Sequence, residues 1–508
     1  MWKIGTLVIL GLAGACRPAE ETAMALDVKL TVEKTEFLFQ ESPRCLLVLT
    51  NSGKDTIQIS NPVSSLTMPV YRLTDSRTGE ESVFQKKPSE WEEDIREPLP
   101  PGKSLERGFF LLDEIKIAAP GSYRLSVLYE YDAGKRAESP PLKLNVLPAT
   151  PKNLSLIGNG PWGSIAVQYG AWVNLAADPP QIMRTHFESL PGGGVRATHA
   201  IAKAEVEARP VLSAPPNRST AKSHWVGWLD ENYLRFAHFD ENMGPSPAGK
   251  FELPKLELEI ITPLHSDPVT DTRVRPNAAA LIWMGDPDGT RSGLQVVELA
   301  PNKATAGGTV NLPGARPGWI ASFERSNGTP FVLLAQSSGE KVVLSSLPWP
   351  DKERGGTLPA KLFEWRGKFA AAGATIDAAD AVLGAVLLWT GKGETLELVN
   401  WSWDAKGSFA EGEKQKVEWE YGKKLDSAFV RVNSRGVPVA VLRDGDGNWS
   451  VFTGEEKPAP LPGAYAQTKL PFDIAFLGGT EPVLIGGRNQ MGFEMIKLDG
   501  SPLPAKRR

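Results

Sequence analysis

The sequence predicts an all-β protein with two parts, a β-sandwich followed by a seven-bladed β-propeller. Three observations support this prediction. A short apolar run, a turn and a second β-rich run recur seven times after residue 163, at steps of 43 to 60 residues. The preceding region, residues 26–148, reads as short strands separated by turns. The 49 Gly and 42 Pro residues exceed the usual share of these types and indicate many turns.

Each recurrence is centred on one apolar run of four residues. The seven runs are Ile165–Gln168, Trp225–Trp228, Ala280–Trp283, Val332–Ala335, Val386–Trp389, Ala440–Arg443 and Val483–Gly486. Strand pairs that return at such a spacing are typical of a β-propeller. We therefore expect residues 149–500 to form seven blades of about four strands, with one run in each blade.

Weaker strands between these hairpins are expected to complete the blades, for example Trp319–Phe323 and Ser427–Val432. Leu154–Leu156 is expected to pair with the final blade and so close the ring. A WD dipeptide is missing from the seven recurring runs, and so is the repeat of quinoprotein-type propellers. The propeller prediction therefore depends on period and topology alone.

The region before the repeats contains strands with alternating apolar and polar residues, such as Val28–Val32. A late Pro-Gly-x-Tyr-x-Leu pattern, formed by Pro120, Gly121, Tyr123 and Leu125, resembles the immunoglobulin-like modules of exported bacterial proteins. The resemblance implies an immunoglobulin-like sandwich that spaces, docks or binds. It is generic, and the disulfide and core Trp of antibody domains are absent.

The N-terminus has the pattern of an export signal. A short basic start is followed by the apolar run Ile4–Leu12 and by the small residues Ala13–Ala15. Together with Cys16, this stretch resembles the lipobox of bacterial lipoproteins, although Leu12 lies one place earlier than in the common pattern. The resemblance implies removal of residues 1–15, lipidation of Cys16 and a tether over residues 16–25, with the protein anchored to a bacterial membrane.

An alternative cleavage site follows the small residues Ala23 and Ala25. Cleavage there would discard Cys16 and release a soluble periplasmic or secreted protein that starts at Leu26. Both alternatives leave Cys45 as the sole cysteine of the mature β domains, because the chain has only two cysteines. We expect Cys45 to act as a small buried hydrophobic residue.

Charge and motif content exclude several functions. The formal net charge is −4 and the pI is near 5.9, so nothing favours nucleic acid as a partner, and only residues 501–508 form a short basic tail. No nucleophile motif is present, and the five histidines are scattered without metal-ligand spacing. They are His186, His199, His224, His238 and His265. The sequence therefore predicts no catalytic residue, no metal site and no cofactor, although His residues of neighbouring blades could meet at the axis.

One segment resembles the start of an EF-hand calcium loop. It contains Asp444, Asp446 and Asn448, with Glu455 at the twelfth position. The sixth position, which needs Gly for a sharp turn, is Trp449 instead. The segment is therefore interpreted as a hairpin turn.

Three recurrences place Trp at one equivalent position, namely Trp228, Trp283 and Trp389. A large apolar residue at a fixed repeat position usually packs between blades, so we interpret these three as core. A stacked aromatic lining for a glycan or peptide is the alternative.

The function expected from the sequence is binding or scaffolding at the cell envelope by a lipoprotein that presents a propeller face to a macromolecule or glycan. One alternative is an extracytoplasmic hydrolase or lyase that acts on a glycan through acid/base residues at the axis. Another is an envelope assembly factor, since one outer-membrane assembly lipoprotein is similar in being a lipidated propeller. The sequence identifies no ligand and no residue of the binding face.

Overall fold

The structure is a computed structural model. It describes residues 25–39, 41–60, 69–85, 96–131, 134–158, 167–188, 194–212, 223–240, 244–261, 265–266, 278–286, 292–300, 303–312, 316–326, 329–350, 358–391, 395–419, 423–454, 457–477 and 479–501. Within these residues the chain is almost entirely β-strand, as the sequence predicts. None of the helices in this part of the chain is long and apolar enough to span a membrane.

The chain divides into two compact units. The first contains residues 1–33, 44–115 and 123–144, and the second contains residues 34–43, 116–122 and 145–508. The signal sequence, Cys16 and nearly all of the tether lie outside the described residues, as do residues 502–508 of the basic tail. The lipid anchor therefore stays a prediction.

The first unit is built from short strands and one helical turn. They are β1 (Leu26–Val32), β3 (Arg44–Asn51), β4 (Ile57–Ser60), β5 (Val70–Asp75), β6 (Glu81–Phe84), β7 (Arg96–Leu99), β8 (Ser104–Phe110), α1 (Leu111–Glu114), β9 (Gly121–Tyr131) and β10 (Lys135–Glu138). One sheet has the order β1-β3-β8, and a second joins β9, β5 and β6, with β10 pairing β9. Strands β4 and β7 form a separate pair.

The alternation of apolar and polar residues predicted for the first unit matches the burial of its side chains. In β9 every second side chain is buried, and Leu125, Val127 and Tyr129 have no exposed surface. Cys45 is also buried and has no disulfide among the described residues. Burial raises the pKa of the Cys45 thiol to about 12, and the nearby charge of Glu114 adds to this effect. Cys45 is thus a core residue, as predicted, while the immunoglobulin-like assignment stays a prediction.

The second unit contains seven separate sheets among the described residues, and each is taken here as one blade. Blade 1 contains β12 (Pro151–Gly158), β13 (Val167–Asn174), β14 (Gln181–Glu188) and β15 (Gly194–Lys203). Blade 2 contains β16 (Val211–Leu212), β17 (Ser223–Asp230), β18 (Tyr233–Asp240), β19 (Gly244–Pro245) and β20 (Gly249–Glu252). Blade 3 contains β21 (Glu257–Ile260), β22 (His265–Ser266), β23 (Ala278–Gly285), β24 (Ser292–Ala300) and β25 (Lys303–Asn311).

The remaining blades have the same plan. Blade 4 contains β26 (Trp319–Glu324), β27 (Pro330–Ser338), β28 (Lys341–Pro348) and β29 (Ala360–Arg366). Blade 5 contains β30 (Lys368–Ile376), β31 (Val382–Thr390), β32 (Thr395–Trp403) and β33 (Phe409–Val417). Blade 6 contains β34 (Leu425–Val432), β35 (Pro438–Asp444), β36 (Trp449–Phe452) and β37 (Ala459–Pro460), with a short 3₁₀ helix at Gly463–Tyr465. Blade 7 contains β38 (Phe472–Leu477), β39 (Glu481–Arg488) and β40 (Gly492–Lys497).

Every blade is an antiparallel meander in chain order. Short extra strands fill single positions, because β19 and β20 both pair β18, and β21 and β22 both pair β23. The described part of each recurring run falls on the second strand position of its blade, and the predicted strands near Trp319 and Ser427 are β26 and β34. The seven-blade prediction thus agrees with the strand topology.

Seven hydrophobic clusters show how the blades pack. Each cluster combines buried residues of two neighbouring blades, and the last joins blade 7 to blade 1 through residues such as Ile485 and Trp172. A cyclic series of interfaces of this kind defines a closed ring. The second unit is therefore a seven-bladed β-propeller.

The prediction that Leu154–Leu156 pairs with the final blade is wrong. These residues belong to β12 and pair with β13 of their own blade, with Leu156 opposite Gly170. Strand alternation predicts that a segment is a strand, but it carries no information on which nonlocal strand becomes the partner.

Two segments ahead of the propeller close the ring instead. We call residues 34–39, 41–43 and 145–150 the clasp. Within it, β2 (Glu36–Leu38) pairs in parallel with the end of β11 (Leu142–Leu147). Leu38 joins the core between blades 7 and 1. Ala149 exchanges backbone hydrogen bonds with the β39–β40 turn, at 2.8 Å with Gly492 and 3.1 Å with Gln490.

A buried ion pair fixes the clasp to blade 1. Glu41 is 2% exposed, forms an ion pair with Lys34, and accepts backbone N–H groups from Leu38 at 3.0 Å and Thr198 at 3.2 Å. Lys34 donates to the carbonyl oxygen of Thr198 at 3.2 Å. Because both oxygens of the buried carboxylate have donors, the contact holds the clasp in one position.

Candidate functional site

The first strands of the blades meet around the propeller axis. Strand β12 contacts β16 on one side and β38 on the other, and β30 contacts both β26 and β34. The blades of a propeller surround a central channel, and we place that channel beside these first strands. Side chains on these strands therefore decide whether the centre of the ring is open or filled.

A cavity of about 510 Å³ lies among the first strands of blades 1 to 3 and the segment just before β26. This volume falls within the range of about 300–1,000 Å³ that is usual for small-molecule sites. It is lined by Asn153, Leu154, Ser155, Arg209, Pro210, Val211, Leu229, Glu257, Leu258, Glu259, Ile260, Trp283 and Arg316. Residues from four consecutive blades thus contribute to one cavity.

An irregularity in β12 shapes one wall of the cavity. Asn153 has a φ of 54°, a left-handed conformation that Asn tolerates better than most residues, and the pairing of β12 with β13 shifts register at this point. The Asn153 amide donates to the carbonyl oxygen of Ala208 at 2.8 Å. Lys152 pairs with Glu207 at 2.5 Å beside it. These contacts join blade 1 to blade 2 at the edge of the cavity.

Trp283 and its neighbours form a second wall. Trp283 is 2% exposed, and its indole N–H donates to Ser292 at 2.9 Å. The guanidinium of Arg316 lies 4.7 Å from the centre of the Trp283 ring and forms an ion pair with Glu259. Arg316 is therefore held by both a carboxylate and an aromatic face.

Arg209 and Glu257 have a different environment. Both are exposed, and among the described residues neither side chain forms a hydrogen bond or an ion pair. Arg209 lies two residues before β16, and Glu257 is the first residue of β21. One guanidinium and one carboxylate from neighbouring blades thus line the cavity with their polar atoms available to a ligand.

The opposite side of the axis is packed closely. A Cβ atom on Gly373 of β30 would lie 2.2 Å from the carbonyl oxygen of Val430 on β34, so these strands approach more closely than any side chain allows. Gly318, just before β26, approaches the ring of Phe369 in the same way, with a Cβ at 2.6 Å. Between blades 6 and 7, Arg431 forms a two-pronged ion pair with Asp473 at 2.9 and 2.8 Å.

The histidines lie mostly between blades 1 and 2. Tyr169 lies against His186, Phe239 against His199 and Trp225 against His238, at ring distances of 4.9, 4.8 and 5.2 Å. His224 and His265 lie in β17 and β22, and their side chains are outside the described residues. No described group of three or more His, Cys, Asp or Glu residues could hold a metal ion.

Arg184 is a fully buried cation beside these histidines. Its guanidinium lies 4.3 Å from the ring centre of Tyr169 and 4.5 Å from that of Phe239. Burial lowers the pKa of nearby His199 to about 4, and the positive charges of Lys34 and Arg184 add to this effect. His199 is therefore neutral at pH 7 and contributes to packing.

The segment around Asp444 is a turn, as predicted. Asp444 is 2% exposed, accepts the backbone N–H groups of Asp446 at 3.0 Å and Asn448 at 2.8 Å, and pairs with Lys423 at 2.6 Å. Burial alone would raise the pKa of Asp444, but hydrogen bonds from Lys423 and Asn448 outweigh it and hold the pKa below its usual value. The carboxylate thus already has donors within the turn, and Glu455 lies outside the described residues.

The recurring tryptophans pack between blades, as predicted. Trp228 and Trp283 are 3% and 2% exposed within clusters that join blades 1 to 2 and 3 to 4. Trp389 packs against the cluster of blades 5 and 6. Only Trp283 also reaches the cavity, and Arg316 covers its ring.

The sequence alone does not predict any of the cavity residues as a ligand contact. Arg209 and Glu257 are 48 residues apart in the chain, Arg209 just before the two-residue strand β16 and Glu257 at the start of the four-residue strand β21. No sequence motif links them.

No family model and no curated protein matches the chain. Solved structures with partial similarity include BBS1N in complex with ARL6DN, at 10% identity and a TM-score of 0.34, covering 69% of this chain and 93% of that one. An α-L-arabinanase of Penicillium chrysogenum complexed with arabinobiose has 10% identity and a TM-score of 0.34, covering 57% and 93%. The NanB sialidase of Streptococcus pneumoniae has 8% identity and a TM-score of 0.30, covering 93% and 92%.

Glycan-active enzymes are thus among the similar structures. At these identities and TM-scores the similarity supplies no residue correspondence. The class of protein is defined by the chain's own strands and interfaces, which form a seven-bladed β-propeller with a cavity among its first strands.

Proposed function

We propose that this protein binds a carbohydrate in the axial cavity of its propeller. The observation that carries the proposal is the pair formed by Arg209 and Glu257, which line one cavity from neighbouring blades with no side-chain partner among the described residues. A rigid ring supports both residues, so the cavity is formed before the ligand arrives.

The chemistry of the two groups matches sugar hydroxyls. A hydroxyl both donates and accepts hydrogen bonds, while a guanidinium only donates and an ionised carboxylate only accepts. A chain of hydroxyls can therefore satisfy Arg209 and Glu257 together. Hydrogen bonds to charged groups contribute about 1.5–3 kcal/mol each when well formed.

A second candidate function is glycan hydrolysis at the same cavity. Glu257 and Glu259 lie two residues apart on β21, which places both side chains on the same face of the strand, and both line the cavity. Glycosidases use a pair of carboxyl groups for acid/base work. The ion pair of Glu259 with Arg316 would keep that carboxylate oriented.

We also propose that the protein is exported and anchored through Cys16, with the propeller acting at the cell envelope. The apolar run that ends directly before Ala13–Cys16 supports this proposal. Intact-mass analysis of the membrane fraction tests it. We expect acyl mass on a chain that starts at Cys16, and an unmodified chain that starts at Leu26 would overturn the anchor.

Binding is tested with purified protein from residue 26 onward and a panel of immobilised glycans, followed by calorimetry on each hit. Arg209→Gln and Glu257→Gln should each weaken binding by about tenfold, equal to the loss of about 1.4 kcal/mol. Lys255→Gln is the matched control, because Lys255 is exposed two residues before Glu257 and does not line the cavity. Equal effects of all three changes, or no bound glycan, would overturn the proposal.

The same material separates binding from hydrolysis. Each bound glycan is incubated with the protein, and products are followed by chromatography. Product release that disappears in Glu257→Gln while binding persists would establish the second candidate. Stable complexes without products would favour the binding function.

A further inference from the structure

Resting on the proposed function, we infer that the ligand is an uncharged oligosaccharide and that the cavity discriminates against glycans containing uronic acids. The inference depends on how the formal charges that line the cavity are arranged. Those charges belong to Arg209, Arg316, Glu257 and Glu259, two of each sign.

Arg316 contributes little open positive charge. Its guanidinium is neutralised by the ion pair with Glu259, and its face lies on the Trp283 ring at 4.7 Å. A ligand carboxylate that approached the remaining N–H groups of Arg316 would lie beside the Glu259 carboxylate and be repelled by it.

Among the described residues that line the cavity, Arg209 is the remaining cation without an ion pair, and Glu257 is the remaining anion. A ligand carboxylate that approached Arg209 would also be repelled by Glu257. Beyond the lining residues, Lys152 and Glu207 form a matched pair at 2.5 Å next to the cavity wall. The positive and negative charges of the described lining residues therefore balance, and these residues create no net positive field to attract an anionic chain.

A neutral polyol meets no such conflict. Its hydroxyls can accept from Arg209 and donate to Glu257 within one cavity, so both charges favour the same ligand. Because Arg209 and Glu257 carry opposite charges, the cavity favours ligand hydroxyl groups over ligand carboxylates.

The test compares neutral linear oligosaccharides with oligogalacturonates of the same length, using calorimetry on the protein from residue 26 onward. We expect neutral ligands to bind at least about tenfold more tightly than uronates. We also expect their affinity to change less than about twofold between low and high salt, because no net charge is neutralised on binding.

Two variants sharpen the test. Glu257→Gln leaves Arg209 unopposed and should raise the affinity for oligogalacturonate by about fivefold while weakening neutral ligands. Arg209→Gln should weaken both classes. Both residues are exposed, and thermal unfolding at the parent temperature will show that each variant is folded.

The outcomes separate the two claims. Tighter, salt-sensitive binding of oligogalacturonates by the parent protein would overturn this inference and leave carbohydrate binding intact. A failure of both glycan classes to bind would overturn the proposed function, and the inference with it.

Discussion

The two sides of the propeller axis differ although the blades share one plan. On the side of blades 1 to 3, the first strands line a cavity of about 510 Å³. Toward blades 5 and 6, Gly373 lets β30 and β34 come into direct contact. The recurring second strands are alike on both sides, so the repeat determines the ring while departures from the repeat determine the site.

A substitution of Gly373, on the closely packed side of the axis, should have the largest effect on the free energy of unfolding. Gly373→Ala would place a Cβ 2.2 Å from the carbonyl oxygen of Val430 and should force the two strands apart. We expect a loss of about 2–3 kcal/mol in the free energy of unfolding, measured by chemical denaturation. Gly445→Ala is the matched control, since its Cβ would meet its nearest neighbour at 3.4 Å. Similar losses in both variants would show that the axis is not closed at Gly373.

The clasp should give the next largest effect. Glu41→Gln removes the partner of Lys34 and places an amide where two backbone N–H groups now donate. We expect a loss of about 2 kcal/mol, because the Gln oxygen can replace only one carboxylate oxygen and the amide NH₂ would face the other backbone N–H group. Glu36→Gln in the same segment changes an exposed carboxylate and should cost less than about 0.5 kcal/mol. Equal stability of the two variants would show that the contacts of Glu41 do not contribute to closing the ring.

Stability on the cavity side should also depend on pH through His199. The pKa of His199 is lowered to about 4, chiefly by burial, so the folded chain keeps this group neutral where the unfolded chain takes up a proton. The contribution of His199 is therefore complete above about pH 6.5 and is lost as the pH falls toward 4. Midpoints of thermal unfolding across this range should fall less steeply in His199→Gln.

Several titratable and charged groups lie around His199. The groups around His199 are Lys34, Glu41 and Arg184, with His238 on the neighbouring strand β18. Protonation would add a third positive charge beside Lys34 and Arg184. An unchanged slope in His199→Gln would assign the acid sensitivity to His238 or to carboxylates elsewhere.

The smallest expected effect concerns the cavity itself. Arg209→Gln and Glu257→Gln should change the free energy of unfolding by less than about 0.5 kcal/mol, because both side chains are exposed. The measurement is chemical denaturation of both variants beside Gly373→Ala. A loss above about 1 kcal/mol would mean that these residues hold the axis open as structural elements.

Much of the ring could be predicted from the sequence. Alternating or continuous apolar runs such as Val386–Trp389 are local signals, and local spacing predicts seven hairpins. The packing of Trp228 and Trp283 follows from the same repetition.

The partners of segments were harder to predict. Leu154–Leu156 was expected at the closing seam because it precedes the first blade, yet it pairs with β13. Lys34 and Glu41 lie within a region that reads as sandwich strands, and only the folded chain shows them against Thr198. Such contacts join residues more than 150 positions apart, and side-chain alternation carries no information over that distance.

The candidate site was unpredictable for a related reason. Arg209, Glu257 and Arg316 come from three blades and share no motif. The cavity depends on how the first strands of several blades are arranged around one another, which is a property of the assembled ring and not of any one repeat.

The clasp also has a consequence for biogenesis. Residues 34–43 leave the ribosome before any blade exists, whereas blade 7 is made last, and both meet in one core through Leu38 and Val483. The core between blades 7 and 1 can therefore form only after the whole chain has been synthesised. Until then, residues 34–43 have no partner in blade 7. A fragment that begins at residue 151 would contain every blade and lack both segments of the clasp.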